Sequence, residues 1–231
     1  MGTLFIVATP IGNLQDMTKR AIDVLATVDA IACEDTRKTG SLLKMLGIEK
    51  KQHFISYYEQ NEYERMPQII TALQNGLSVA LVSDSGTPTI SDPGFKLVRT
   101  CIEQGIKVIA IPGPSSVITA LVVSGLPTDK FLFLGFLPKK EGHRKKLLEN
   151  TKETSKLIKS TILFFEAPHR LIGTLEEMQE VLGDVTVVLA RELTKVYEEI
   201  QRGKISELLN IYKKRNPKGE YVILYNLQQT R

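Results

Sequence analysis

Short apolar runs alternate along the first half of the chain with longer stretches in which apolar residues recur every three or four positions. Residues 4–8, 28–33, 78–83 and 106–111 are almost wholly apolar, and a shorter run covers 54–56. Between them, 16–27, 36–46, 58–75 and 95–104 carry the helical period. Apolar strands alternating with amphipathic helices predict a mostly parallel sheet covered on both faces. A further helix is predicted over 115–124, and Gly125-Leu126-Pro127-Thr128-Asp129 reads as a linker.

After Lys130 the pattern changes. Strands are predicted over 131–135, 161–166, 185–190 and 220–226, with a basic helix over 142–152 and another helix over 171–182. A strand near 196–203 follows closely enough behind 185–190 to pair with it antiparallel. The chain therefore reads as α/β in two domains, 1–126 with a mostly parallel sheet and 127–231 with a mixed sheet and helices. Its 231 residues suffice for two modest cores.

Composition narrows the class. With 42% hydrophobic and 24% charged residues, disorder over most of the chain is excluded. The two cysteines, Cys33 and Cys101, rule out a disulfide scaffold and read as packing residues. The opening Met1–Ala8 has no basic leader and soon meets Pro10, and the longest apolar stretch, 117–126, is about half of a membrane span. The expectation is a soluble cytoplasmic protein with no membrane partner.

The net charge of +4 is uneven. Residues 138–160 hold eight lysines and arginines against three glutamates, and 202–218 hold six against one. Either a polyanionic partner or a pair of solvated helix faces accounts for this.

Candidate chemistry gathers where the first four apolar strands end. These ends run into Thr9-Pro10-Ile11-Gly12-Asn13, Glu34-Asp35-Thr36-Arg37, the loop Asp84–Gly94, and Pro112-Gly113-Pro114-Ser115-Ser116. Any one of them could be plain turn chemistry. Together, at the carboxyl edge of one sheet, they predict a binding crevice. No G-x-G-x-x-G follows the first strand and no G-x-x-x-x-G-K-[ST] occurs, so the usual dinucleotide and triphosphate cradles are missing. The longest loop carries Asp84 and Asp92 without a lysine or arginine, which favours a neutral or cationic ligand. Asp92, just before Pro93, is assigned to a helix N-cap, leaving Asp84 as the better ligand candidate.

Two more polar clusters follow strands in the second half: Glu166-Ala167-Pro168-His169-Arg170 and Arg191-Glu192-Leu193-Thr194-Lys195. Each could be an active site or a structural ion pair. His53, His143 and His169 lack ligand spacing, so no metal is expected. The phenylalanines at 131, 133, 164 and 165 lie in predicted strands and read as core rather than as base-stacking rings.

Taken in order and spacing, Leu4–Asn13, Cys33–Arg37, Ser83–Gly94, Pro112–Ser116, Gly135-Phe136-Leu137-Pro138, Glu166–Arg170, Arg191–Lys195 and Lys218-Gly219-Glu220 resemble the tetrapyrrole-methylase-like superfamily of S-adenosylmethionine-dependent enzymes. Glu34–Arg37, Glu166–Arg170 and Arg191–Lys195 are similar to its branch of ribosomal RNA 2′-O-ribose methyltransferases. The resemblance runs from Gly2 to Tyr225 and implies two α/β domains with the cofactor held between them, usually in a homodimer. It implies methylation of a cytidine ribose 2′-hydroxyl in the decoding region of 16S ribosomal RNA, within the 30S subunit. Carried over by position, Pro10, Gly12, Asp84, Gly86, Thr87, Pro88, Ser115, Ser116, Gly135, Phe136 and Leu137 would hold S-adenosylmethionine.

The proton acceptor is to be sought among Glu34, Asp35, Glu166, His169 and Glu192, with Glu34 and His169 first. Arg37, Arg170, Arg191 and Lys195 would clamp phosphates. Many members of the branch continue beyond the Gly-Glu strand into a helical extension that helps hold RNA. This sequence stops at Arg231, and the expectation is either that its RNA binding rests on the two basic segments or that this lineage has lost the extension. Two other readings compete: carbon methylation of a tetrapyrrole, and a ribosome-binding factor without catalysis.

Overall fold

A computed structural model describes residues 1–49 and 52–228, and the chain divides into two compact units, Met1–Ser115 and Ser116–Arg231. The end of the second expected domain, 229–231, lies outside the described residues.

Unit 1 holds strands β1 (Thr3–Val7), β2 (Ala30–Cys33), β3 (His53–Ser56), β4 (Val79–Val82) and β5 (Lys107–Ile111). They form one sheet in the order β3-β2-β4-β1-β5, and every pairing is parallel. The central β2 and β4 are buried at all positions, as strands covered on both faces must be. Helices α1 (Lys19–Thr27) and α2 (Thr36–Met45) bring Ala21, Leu25 and Leu43 against one face, beside Val7, Ile31, Cys33 and Val82. Helices α3 (Glu62–Gln74) and α4 (Phe95–Glu103) bring Ile69, Leu73, Leu97 and Cys101 against the other, beside Leu4, Ala32 and Leu81. The alternation of Leu81 and Val82 between the two cores follows from the two-residue repeat of a strand. Both cysteines are free thiols packed in these cores, and burial pushes each up to about 11.

Unit 2 contains α5 (Ser116–Ser124), β6 (Phe131–Phe136), α6 (Glu141–Leu157), β7 (Thr161–Glu166), α7 (Leu171–Leu182), β8 (Thr186–Arg191), β9 (Glu199–Lys204), α8 (Ile205–Lys214) and β10 (Tyr221–Tyr225). Its sheet runs β6-β7-β10-β8-β9, with β6 parallel to β7 and the other pairs antiparallel. The antiparallel partnership of β8 and β9 is the one the sequence predicts. Leu148, Leu171, Leu175, Met178, Leu208 and Tyr212 of α6, α7 and α8 pack on Phe164, Leu189, Ile223 and Tyr225. Each fully buried leucine contributes roughly 1.5–3 kcal/mol.

The division after Ser115 differs from the sequence expectation of a boundary after Leu126. The reason is α5, whose Val117, Ala120 and Leu121 are buried against the unit 2 sheet rather than the sheet that precedes it in the chain. Arg202 fixes its end by donating to the carbonyl oxygens of Val123 and Ser124, the latter at 2.9 Å.

Candidate active site

Because β2, β4, β1 and β5 are consecutive neighbours and all parallel, their carboxyl ends lie along one edge of unit 1, and the four unusual loops meet there. Backbone bonds between Thr9 and Gly86, at 2.8 and 3.0 Å, bridge the β1 and β4 loops. The Thr9 hydroxyl donates to Ser83 O at 3.1 Å, and the Thr87 hydroxyl donates to Pro114 O at 3.0 Å. Gly113 is required by close approach: a Cβ there would stand 2.9 Å from Ala8 Cβ.

The β4 loop is strained. Thr89 and Ser91 hold φ of 74° and 62°, in the left-handed region where side chains are disfavoured, and such strain gathers at ligand sites. Glu62 braces the loop, accepting from Gly94 N at 2.9 Å and the Tyr57 hydroxyl at 3.0 Å, with Lys96 Nζ at 3.1 Å. No local motif marks this residue; only the fold carries the start of α3 to the loop.

Three carboxylates gather at this edge. Asp84 N donates to Glu34 Oε1 at 3.1 Å, and Asp84 Oδ1 accepts from Asp35 N at 3.2 Å. Asp92 does not cap a helix. The N-cap of α4 is Gly94, with φ of 127°, where a Cβ would lie 2.5 Å from Leu81 Cδ2. Asp92 is instead half-buried in the β4 loop, close enough to Ser83, Glu34 and Asp84 to feel them. Burial, with those charges, pushes its carboxyl up to about 6. Burial also raises Glu34 above the usual carboxylate range; the Asp84 backbone bond opposes this and the Asp84 charge adds to it.

Asp35 has a different role. It is the N-cap of α2, accepting from Arg37 N at 2.9 Å, and it grips the Arg37 guanidinium at 2.9 and 3.1 Å. The guanidinium holds its carboxyl well below the usual range, which makes it a poor proton acceptor. Lys38 Nζ donates to Asp84 Oδ2 at 2.6 Å. A cavity of about 670 Å³ opens here, lined by Pro10, Gly12, Leu14, Ser83 and Asp84 on one side and by Asp35, Arg37, Lys38, Thr39, Ser41, Leu42 and Met45 on the other.

The remaining candidates for the cofactor occupy distinct positions. Gly86 makes the bridge to Thr9, Pro88 is buried in the β4 loop, and Ser115 and Ser116 stand at the end of the β5 loop and the start of α5. In unit 2, Gly135 takes φ of 65° where β6 shifts register, Phe136 is exposed, and the Leu137 side chain is buried in the core.

The two polar clusters of unit 2 are braces in their internal geometry. Glu166, fully buried, accepts from Ala167 N at 2.8 Å and the Thr174 hydroxyl at 2.6 Å, with Arg170 Nε at 3.1 Å. Arg170 also donates to Leu137 O and Pro138 O, at 2.9 and 3.1 Å, while His169 is exposed. Glu192 accepts from Lys195 Nζ and Glu220 N, both at 3.0 Å, and Lys195 reaches Glu220 Oε2 at 2.7 Å. Arg191 donates to Lys218 O at 2.6 Å. Gly219, with φ of 85°, lies so close to Glu192 that a Cβ would meet its Cγ at 2.5 Å.

The basic segments are partly neutralised. Arg144 is buried in an ion pair with Glu177, and Lys145, Lys146, Lys156, Lys213 and Arg215 also pair with carboxylates. Among the described residues, exposed Lys139, Lys140, Lys159, Lys204, Lys214 and Lys218 make no ion pair. Among the described residues, no group of three or more His, Cys, Asp or Glu side chains could hold a metal ion and no helix is long and apolar enough to cross a membrane.

Comparison with known proteins places the chain in a family. The family model for tetrapyrrole (corrin/porphyrin) methylases matches residues 3–209. A Halalkalibacterium halodurans protein named ribosomal RNA small subunit methyltransferase I is 48% identical over 96% of this chain and 75% of its own. The protein of that name from Thermotoga maritima is 45% identical over 97% of this chain and 98% of its own. Among solved structures, a diphthine synthase superposes with a TM-score of 0.75 at 14% identity, covering 97% of this chain and 90% of its own. A cobalt precorrin-4 methyltransferase does so with 0.66 at 16%, covering 96% and 94%. At those identities the superpositions speak for the fold alone. The sequence matches, on a two-unit α/β chain with its loops gathered at one sheet edge, show that this protein belongs to the tetrapyrrole methylase family, among the relatives named ribosomal RNA small subunit methyltransferase I.

Proposed function

We propose that the chain transfers a methyl group from S-adenosylmethionine to the 2′-hydroxyl of a cytidine ribose in the decoding region of 16S ribosomal RNA, in the 30S subunit. The observation that carries this is the carboxylate group Glu34, Asp84 and Asp92 at the carboxyl edge of the sheet, in a chain whose close relatives bear a ribosomal RNA methyltransferase name. The residues fit a cationic donor. Two raised carboxyls and a loop without lysine would repel phosphate and attract a sulfonium. The donor supplies an already activated methyl group, so no metal is needed and the protein's share is alignment and removal of one proton.

Within unit 1, Pro10, Gly12 and Asp84 wall the cavity, and Gly86, Thr87, Pro88 and Ser115 shape the adjoining loops. Glu34 is the acceptor best suited to the ribose hydroxyl proton, because a raised carboxyl is a stronger base than an ordinary one. Asp35 is engaged with Arg37, both Glu166 oxygens accept from local donors, and Glu192 Oε1 accepts from Lys195 and from Glu220 N. Arg37, with a side chain 89% exposed, is placed to meet a phosphate. The unpaired lysines of the two basic segments would hold flanking RNA. The same reading makes the working protein a cytoplasmic homodimer.

The test is incubation with labelled S-adenosylmethionine and either 30S particles from cells lacking the protein or a precorrin, followed by mapping of the modified nucleotide. Label on one cytidine ribose is expected. Label on the precorrin alone would overturn the reading. Glu34→Gln should slow transfer at least a hundredfold at saturating donor, beyond the several-fold loss of donor affinity that removing one attractive charge brings, with His169→Ala as the comparison.

A further inference from the structure

We infer that the cavity beside α2 receives one nucleotide of the RNA, everted from its neighbours, while the methyl donor takes the adjoining edge under the β4 and β5 loops. This rests on the proposed methyl transfer to RNA and adds where the substrate sits. The strand order puts α2 on one side of the β4–β1 pair and the β5 loop on the other. The cavity reaches from α2 to the ends of β1 and β4 and stops there: neither Gly86–Pro88 nor Pro112–Ser115 lines it. Its shared wall, at the ends of β1 and β4, is where two ligands on opposite sides of that pair would meet.

The lining suits a nucleotide, since its two carboxylates, Asp35 and Asp84, are paired with Arg37 and Lys38. Leu14 and Leu42 are half-buried, and Met45 is 62% exposed on the wall of an open cavity, offering apolar surface to a flat ring. Arg37 and Lys38 project from the first turn of α2, where the helix N-terminus adds its own positive end. Phosphate is the partner such a rim selects, and Lys38 would exchange Asp84 for it. A volume of about 670 Å³ is ample for one nucleotide. A receptacle beside the reacting edge stabilises a nucleotide drawn out of its stack and offsets the few kcal/mol that unstacking costs, about the scale of one good contact.

The test uses Ser41→Trp and Met45→Trp, two exposed positions of α2 where a bulky ring fills the cavity without entering the core. Circular dichroism checks the fold. Affinity for S-adenosylmethionine, measured by calorimetry, should stay within twofold of the unsubstituted protein. Methyl transfer to undermethylated 30S particles at saturating donor should fall at least tenfold in kcat/KM for both variants. Donor affinity falling in parallel with transfer would give the cavity to the donor and overturn the inference. Transfer at the unsubstituted rate would show that the cavity holds nothing the reaction needs. Failure of the unsubstituted protein to bind the donor or to methylate RNA would instead remove the proposed function, and this inference with it.

Discussion

Asp92→Asn isolates the electrostatic cost built into the carboxyl edge of unit 1. The Asp92 carboxyl moves from 3.8 to about 6 through burial and the charges of Glu34 and Asp84. A shift of about two pH units corresponds to roughly 3 kcal/mol. Asp92 keeps part of its surface open to water, and solvent screening reduces this to about 1–2 kcal/mol. The sign follows from proton counts. Below about pH 4 the carboxyl is protonated folded or unfolded, so the amide brings no gain. Between about pH 4 and 6 the folded state retains a proton that the unfolded chain releases, and stability falls as pH rises. Above about pH 6 the full cost is present. Asp92→Asn, which keeps the side chain's size and removes its charge, should therefore raise Tm by about 2–6 °C at pH 8 and leave it unchanged near pH 4. Thermal unfolding followed by circular dichroism at both pH values is the assay. The variant should also bind S-adenosylmethionine several-fold more weakly by calorimetry, since one attractive charge is gone. Equal Tm gains at both pH values, or no gain at pH 8, would refute the charge argument.

Further outcomes follow from the packing. Gly113→Ala places a Cβ 2.9 Å from Ala8 Cβ and should cost about 1–3 kcal/mol while weakening donor binding, as paired urea titration and calorimetry would show. Arg144→Met strands the buried Glu177 carboxylate and should cost about 3–5 kcal/mol, much of which Arg144→Met combined with Glu177→Met restores in urea unfolding. Binding to 30S particles should weaken steeply with salt, and alanine at Lys139, Lys140 and Lys214 should make the log–log slope shallower, because each phosphate contact released contributes about 0.7–0.9 to it.

The strands and most helices were legible because hydrophobic period is a local property. Residues 161–166 and 171–182 end where the sequence places them, and β9 pairs with β8 as spacing suggests. Helix α8 was not assigned, because its apolar stripe of Ile205, Leu208, Leu209 and Tyr212 is embedded in a basic segment that draws attention to charge. The gathering of Glu34 and Asp84 was legible, since strand ends of a parallel sheet share an edge. Asp92 was not, because the cap of α4 falls on Gly94, which the close approach to Leu81 on another segment requires to be glycine. Nor could the pairing of Arg144 with Glu177 be read from a run of like charges, for it joins α6 to α7.

Among the described residues strand β6 pairs with β7 alone, at the edge of its sheet, along a segment reading Phe-Leu-Phe-Leu-Gly-Phe with Phe131, Leu132 and Phe136 exposed. Such a border invites a stray strand from another molecule to add on and propagate. The left-handed twist at Gly135 breaks the register between Phe133 and Phe136 and denies the newcomer a straight template. Replacing that glycine with valine would thus turn a self-terminating margin into a growing one, and insolubility during overproduction would be its first symptom.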